Sequence, residues 1–213
     1  MAFHCEDFCH SAMKSDLSTE LMPVQIGTKT HNFTDPTGLL SDCHRRVEMF
    51  LNMLKAVAEV IDRPATEETS RALESALRYF GQAAPKHTAD EEESLFPRLR
   101  QIRDPEMVAA FSRMEKLEED HRWAAPLHAA VERLGAQYLS NGNLSDAEVA
   151  EFRNSVASLA SMYKQHIKVE DELFFPLAER MLSDSEKAAI ALEMAGRRKV
   201  ELVTAISEFG KSK

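Results

Sequence analysis

A chain of 213 residues and 24.0 kDa has the length of one domain with a single sizeable core. Its net charge of −9, from 26 basic against 35 acidic residues, is unsuited to nucleic acid, because neutralising phosphates requires a basic face. No apolar run approaches the roughly 20 residues that span a bilayer, and 3 cysteines are too few for a disulfide framework. The first residues carry Glu6 and Asp7 and lack an apolar stretch, so no secretory leader is expected and the cytoplasm is the expected location.

Residues 1–33 show no periodicity and read as an N-terminal arm. A first helix is predicted over about 36–62, between Asp35-Pro36 and Asp62-Arg63-Pro64. Thr66 reads as the N-cap of a second helical stretch reaching Arg103. Gly81 and Pro85 are expected to kink it, and Pro97 to disturb its end. Asp104-Pro105 opens a third helix to about Ser140, with a bend expected at Pro126. Asn141-Gly142-Asn143 is a turn signal, after which Ser145 or Asp146 caps a fourth helix to about Leu182. Ser183 to Glu186 begins a shorter fifth helix, which the last dozen residues could extend. Only 7 Gly and 8 Pro, with Ala, Leu, Glu, Lys, Arg and Met filling the long segments, point to an all-α protein.

The sequence repeats itself. HTADEEESLFPRL begins at His87 and HIKVEDELFFPLA at His166. In each, Glu follows His by four residues, two acidic residues come next, and Phe-Pro falls at nine and ten. A weaker copy pairs Asp42-Cys43-His44 with Glu119-Asp120-His121, each with a Leu four residues before the His. The spacing is 43 residues from His44 to His87 and 45 from His121 to His166. Two helix hairpins related by pseudo-symmetry produce this pattern.

In an antiparallel hairpin, residues equidistant from the turn lie at one height. The midpoints between successive histidines fall at Ala65-Thr66, at Asp104, and beside Gly142-Asn143, all of them turns assigned from Pro, Gly and capping residues. The four histidines therefore share one level of an up-down-up-down bundle. They also lie on apolar faces: Leu40, His44, Val47, Leu51 and Leu54 on the first helix, Met114, Leu117, His121 and Ala124 on the third, Met162, His166, Glu170 and Leu173 on the fourth. A lone inward His is commonly a hydrogen-bonded core residue, but two inward glutamates are harder to accommodate, since an unpaired buried carboxylate costs several kcal/mol. A pair of divalent ions removes that cost. His and Glu at i, i+4 project to the same neighbourhood, each Glu can span two metals roughly 3.5–4 Å apart, and each His binds one metal. Nitrogen and oxygen donors without thiolate suit Fe or Mn better than Zn or Cu.

The pattern H…HxxxE…H…HxxxE on four helices resembles the hemerythrin family in its broad HHE cation-binding form, over about residues 36–182. The resemblance implies a hemerythrin-like four-helix bundle with an additional C-terminal helix: arm 1–33, bundle 34–182, and helix 183–213 packed on or extending from it. It implies two iron ions (Fe2+/Fe3+) with an oxo or hydroxo bridge, for which Mn or Zn could substitute. His44, His87, His121 and His166 would be terminal ligands, and Glu91 and Glu170 bridges. The small-molecule partners would be O2, hydrogen peroxide or nitric oxide; nothing names a protein partner, and no nucleic acid or membrane is expected. Oxygen-carrying members use a third-helix HxxxH and a bridging Asp, where this chain has Ala125 and Glu170. Di-iron repair proteins of the group carry HxxxE twice, as here, but add a fifth His where this chain has Ile61 to Thr66. A sensor or handler of iron or reactive small molecules is therefore expected, ahead of peroxide disproportionation and of reversible O2 carriage.

Several neighbours have blander readings. Glu48, four residues after His44, and Glu118, three before His121, are expected to be solvated. His128, two turns from His121, is expected in the core or behind the ligands, and Tyr163 either bonds to the site or packs. The acidic runs 90–93 and 170–172 are expected to be solvated beyond their first Glu. His4, Cys5, Cys9 and His10 read as a thiol-bearing arm. No Ser/His/Asp or Cys/His arrangement suggests a nucleophile, and no catalytic residue is assigned.

Overall fold

A computed structural model describes residues 31–200, and the His4/Cys5/Cys9/His10 group and the last dozen residues lie outside them. Among the described residues the protein is all-helical, with no strand. Helix α1 spans Pro36–Val60, α2 Glu67–Gln82, α3 Ala84–Ala89, α4 Phe96–Leu99, α5 Pro105–Asn141, α6 Asp146–Val169, α7 Phe175–Met181 and α8 Asp184–Arg197. Two wide π-turns, π1 (Asp90–Leu95) and π2 (Glu170–Phe174), join α3 to α4 and α6 to α7. Each of the four long rods packs on its chain neighbours, and α6 closes the ring against α1; α8 lies across the α1/π1 side.

The expected capping residues do start these helices. Asp35 accepts from the Gly38 amide, Thr66 from Thr69 and Asp104 from Glu106. Ser145 and Ser183 form full capping boxes with Glu148 and Glu186. Helix α5 ends on Gly142, whose φ of 76° lies in the left-handed region and favours glycine. Gly135 serves closeness: a Cβ there would stand 2.9 Å from a Leu77 methyl, so α2 lies tight against α5. The long second stretch breaks between Gln82 and Ala84, just ahead of Pro85, while α5 runs through Pro126 without interruption.

The π-turns interrupt what the sequence predicts as continuous helix. The Phe96 and Phe175 amides donate to the carbonyls of Glu91 and Glu170, five residues back, and each Phe precedes a proline. Pro97 and Pro176 have no N–H for the carbonyl four residues earlier, and their rings crowd it; widening the turn relieves the clash. Such π-turns recur at functional sites.

The core is divided in two. One apolar cluster, with Leu54, Leu73, Phe152 and Leu159, fills the end near Thr66 and Gly142. The other, with Leu40, Phe96, Met114 and Phe174, fills the opposite end beneath α8. Between them lies a buried polar layer: His44, His87, Glu91, His166 and Glu170. Among the described residues no helix is long and apolar enough to cross a membrane.

Candidate metal centre

The structure brings all six predicted side chains together at this layer, one histidine from each rod and one glutamate from each π-turn. They form two overlapping groups, His44/His87/Glu91/Glu170 and Glu91/His121/His166/Glu170, each with its potential ligand atoms within 4.8 Å of one another. The carboxylates belong to both groups, and each divides its oxygens between them. Glu91 Oε1 lies 3.0 Å from His87 Nε2 and Oε2 lies 3.6 Å from His121 Nε2. Glu170 Oε2 lies 3.1 Å from His44 Nε2 and Oε1 lies 3.2 Å from His166 Nε2. His121 and His166 face one another Nε2 to Nε2 at 3.0 Å.

Both glutamates are fully buried, and none of their four oxygens has a hydrogen bond among the described residues; His44 Nε2 is likewise unsatisfied. Buried polar atoms are nearly always hydrogen-bonded, and leaving two carboxylates without donors costs several kcal/mol each. Orphaned oxygens and imidazole nitrogens converging on shared points are what a pair of cations satisfies. The donor set therefore fits two metal ions.

Outside this ring stands a second set of carboxylates. His44 Nδ1 donates to Asp171 Oδ1 at 2.8 Å, and Asp171 also takes Ser41 Oγ at 3.0 Å and Arg45 Nη2 at 2.5 Å. His121 Nδ1 donates to Glu92 Oε1 at 2.7 Å. Asp120 lies 3.6 Å from His166 Nδ1, an ion-pair distance. A carboxylate that can only accept fixes the proton on Nδ1 and leaves Nε2 bare toward the centre. Glu92 and Asp171 follow Glu91 and Glu170 by one residue, and each serves a histidine of the other hairpin. The expectation that both are solvated is thus corrected: an inward imidazole N–H outweighs hydration. The signal was the acidic residue one after Glu in both repeats. Only Glu93, 67% exposed, behaves as a solvated member of the first run.

Electrostatics divides the ring. Burial and repulsion from Glu170 push Glu91 up to about 8. Burial also works against the Glu170 carboxylate, but His166 and His44 outweigh it and hold it well below the usual range. Burial opposes the protonated forms of His44 and His166, yet the adjoining carboxylates keep both raised. Burial and neighbouring imidazoles lower His87 and His121.

Glu48, Glu118 and His128 stand outside the two groups, though Glu118 is half-buried rather than solvated. Glu48 is exposed and pairs with Arg45 at 3.1 Å. Glu118 pairs with Arg100 at 2.7 Å. His128 Nε2 meets the Tyr163 hydroxyl at 3.0 Å, and burial lowers its pKa to about 4. His128→Ala should accordingly leave metal loading intact while costing about 1–3 kcal/mol through the unpartnered phenol; metal analysis and a melting curve check this, and loss of metal would count against the assignment. A small, largely enclosed cavity beside the imidazoles, with Val47, Ala84, Tyr163 and Ile167 in its wall, has room for about one water-sized molecule. Tyr163 and Ile167 also line an outer groove between α1 and α6, so they separate cavity from surface.

Residues 35–178 match the hemerythrin HHE cation-binding domain. The chain belongs to the hemerythrin HHE cation-binding family. The match runs from α1 into α7, hence over every residue of the polar layer, and stops short of α8. An uncharacterized protein of Haemophilus influenzae is also similar, at 26% identity over 184 residues, 85% of this chain and 98% of its own. Membership agrees with a His/Glu cluster able to hold cations.

Proposed function

We propose that the protein holds a non-haem di-iron centre that meets O2, hydrogen peroxide or nitric oxide, and serves as a sensor or handler of iron or of these molecules. The observation that carries the reading is the division of each buried carboxylate between two imidazole pairs. His44 and His87 would hold one ion, His121 and His166 the other, and Glu91 and Glu170 would join them. Nitrogen and oxygen donors without thiolate suit iron, with manganese or zinc as substitutes. When bound, two irons supply electrons by passing between ferrous and ferric states.

The chain's own residues set the conditions. Asp171 and Glu92 keep His44 and His121 in the tautomer with Nε2 inward. Val47, Ala84 and Ile167 present an apolar wall to the cavity, whose room for about one water-sized molecule suits small diatomic or peroxide-sized species over larger substrates. Tyr163 directs its hydroxyl to His128, away from the ligands. Position 125 is an exposed alanine, so the third rod gives one imidazole, not two. This four-imidazole set, with two per ion, also suits a second reading, disproportionation of 2 H2O2 to O2 and 2 H2O.

Anaerobic loading with ferrous iron should give about two irons per chain, and air should then oxidise the protein irreversibly. Stopped-flow spectra with peroxide and nitric oxide, and an oxygen electrode, separate binding from turnover. A constant single zinc per chain would sink the dinuclear reading, and a form returning its O2 under vacuum would restore the carrier.

A further inference from the structure

Helix α8 lies outside the residues that match the family, yet it reaches the polar layer. Asp90, immediately before Glu91, is fully buried. Its two oxygens are taken by two guanidinium groups from the end of α8: Arg197 Nη1 donates to Oδ1 at 3.0 Å and Arg198 Nη2 to Oδ2 at 2.5 Å. Arg197 also donates to Ser94 Oγ at 2.9 Å and to Glu93 Oε2 at 3.0 Å. Three side chains of π1 are thus gripped from one point.

The end of α8 is itself held. Lys199 turns left-handed at φ 54°, its amide donates to the Gly196 carbonyl, and the Val200 amide donates to Ala195, both at 3.0 Å. This Schellman closure fixes where Arg197 and Arg198 leave the helix. The other π-turn is held differently: Asp171 takes Ser41 and Arg45 of α1, and the residue three after His166, matching Asp90, is Val169, which packs against the apolar cluster.

A π-turn competes with the ordinary α register, and slipping by one residue would swing Glu91 about 100° around the axis. We infer that Asp90, Arg197 and Arg198 are positioning residues of the metal centre, and that α8 holds π1 in the register that aims Glu91 at both imidazole pairs. This rests on reading the polar layer as a dinuclear centre.

The test titrates Co2+ and ferrous iron, anaerobically, into the full chain and into Asp90→Asn, Arg198→Lys and Arg197→Gln/Arg198→Gln variants. Readouts are the cobalt visible spectrum, metal content and the melting temperature without metal. Arg98→Gln serves as the control, because Arg98 ties π1 and α4 to Glu193 of α8, at 2.7 Å, without touching Asp90. The double variant and Asp90→Asn should bind roughly 10–100-fold more weakly, with an altered cobalt spectrum. Arg198→Lys should recover part of the loss, and Arg98→Gln should stay within about twofold of wild type. Should the double variant not fold, Asp90→Asn, with the same shape, decides the matter. Wild-type affinity and spectrum in Asp90→Asn, or equal loss in Arg98→Gln, overturns the inference while the metal reading stands. A wild-type chain that takes up neither metal overturns both.

Discussion

Glu170→Gln should destabilise the metal-free protein by about 3–5 kcal/mol at pH 7, whereas Glu91→Gln should leave it at least as stable as wild type. Both substitutions should abolish loading of the second metal ion. The asymmetry follows from the environments of two groups that look equivalent in sequence. Glu170 contacts His44 and His166 and favours the protonated form of each, so removing its charge takes a shared partner from two buried imidazoles. Glu91 is driven the other way, up to about 8 by burial and by the charge of Glu170, so it already carries a proton near neutrality. An amide of the same shape replaces a neutral acid at little cost. With metal the distinction should disappear, because under the proposed dinuclear reading each glutamate would be a donor shared by both ions. Denaturant melts of the metal-free variants and metal analysis of the loaded ones check the two halves; equal destabilisation by both substitutions would count against the charge arrangement.

Metal uptake at pH 7 should release protons, and acidification should release metal. In the metal-free protein Glu91 is pushed up to about 8 by burial and by Glu170, the adjoining carboxylates raise His44 and His166 against burial, and burial lowers His87 and His121. Ligands must be deprotonated, so every proton held must leave, and affinity should fall roughly tenfold per pH unit for each proton released. The metal-free fold responds in the opposite sense. Groups raised above their unfolded values stabilise the folded state below those values, and that stability is lost as pH rises through the folded ones. From about 6.5 to 8 the folded metal-free chain binds more protons than the unfolded chain, so it should weaken as pH rises while the loaded protein strengthens. Titration calorimetry in buffers of different ionisation enthalpy gives the proton count; paired melts with and without chelator give the diverging stabilities. Proton uptake on loading would overturn this account.

The level of the four histidines was legible because chain length between turns is rigid once helices form, and the turns carry their own residues, from Pro64 to Gly142. The inward glutamates were legible because the His-to-Glu step is one helical turn. The π-turns were not, since their backbone angles differ little from those of an α-helix and only Phe96-Pro97 and Phe175-Pro176 mark them. Glu92 and Asp171 were misread because acidic residues in a run normally face water; which of them faces an imidazole depends on how far each π-turn rotates the rod. Asp90 posed a different problem, because its partners lie 107 and 108 residues away on a helix whose docking nothing local announces.

The exchange of outer carboxylates between hairpins bears on how long the folded state lasts. Asp171 bonds to His44 across 127 positions of chain, and neither hairpin alone contains both imidazole pairs and both glutamates. A full set of donors exists only after the two halves have closed on each other, late in folding. An ion that binds only there acts on a state formed beyond the barrier, so it should slow unfolding and leave the refolding rate nearly unchanged. The lifetime of the loaded protein should then be set by how fast metal departs, and withdrawing metal should shorten that lifetime without touching the rate at which new chains fold.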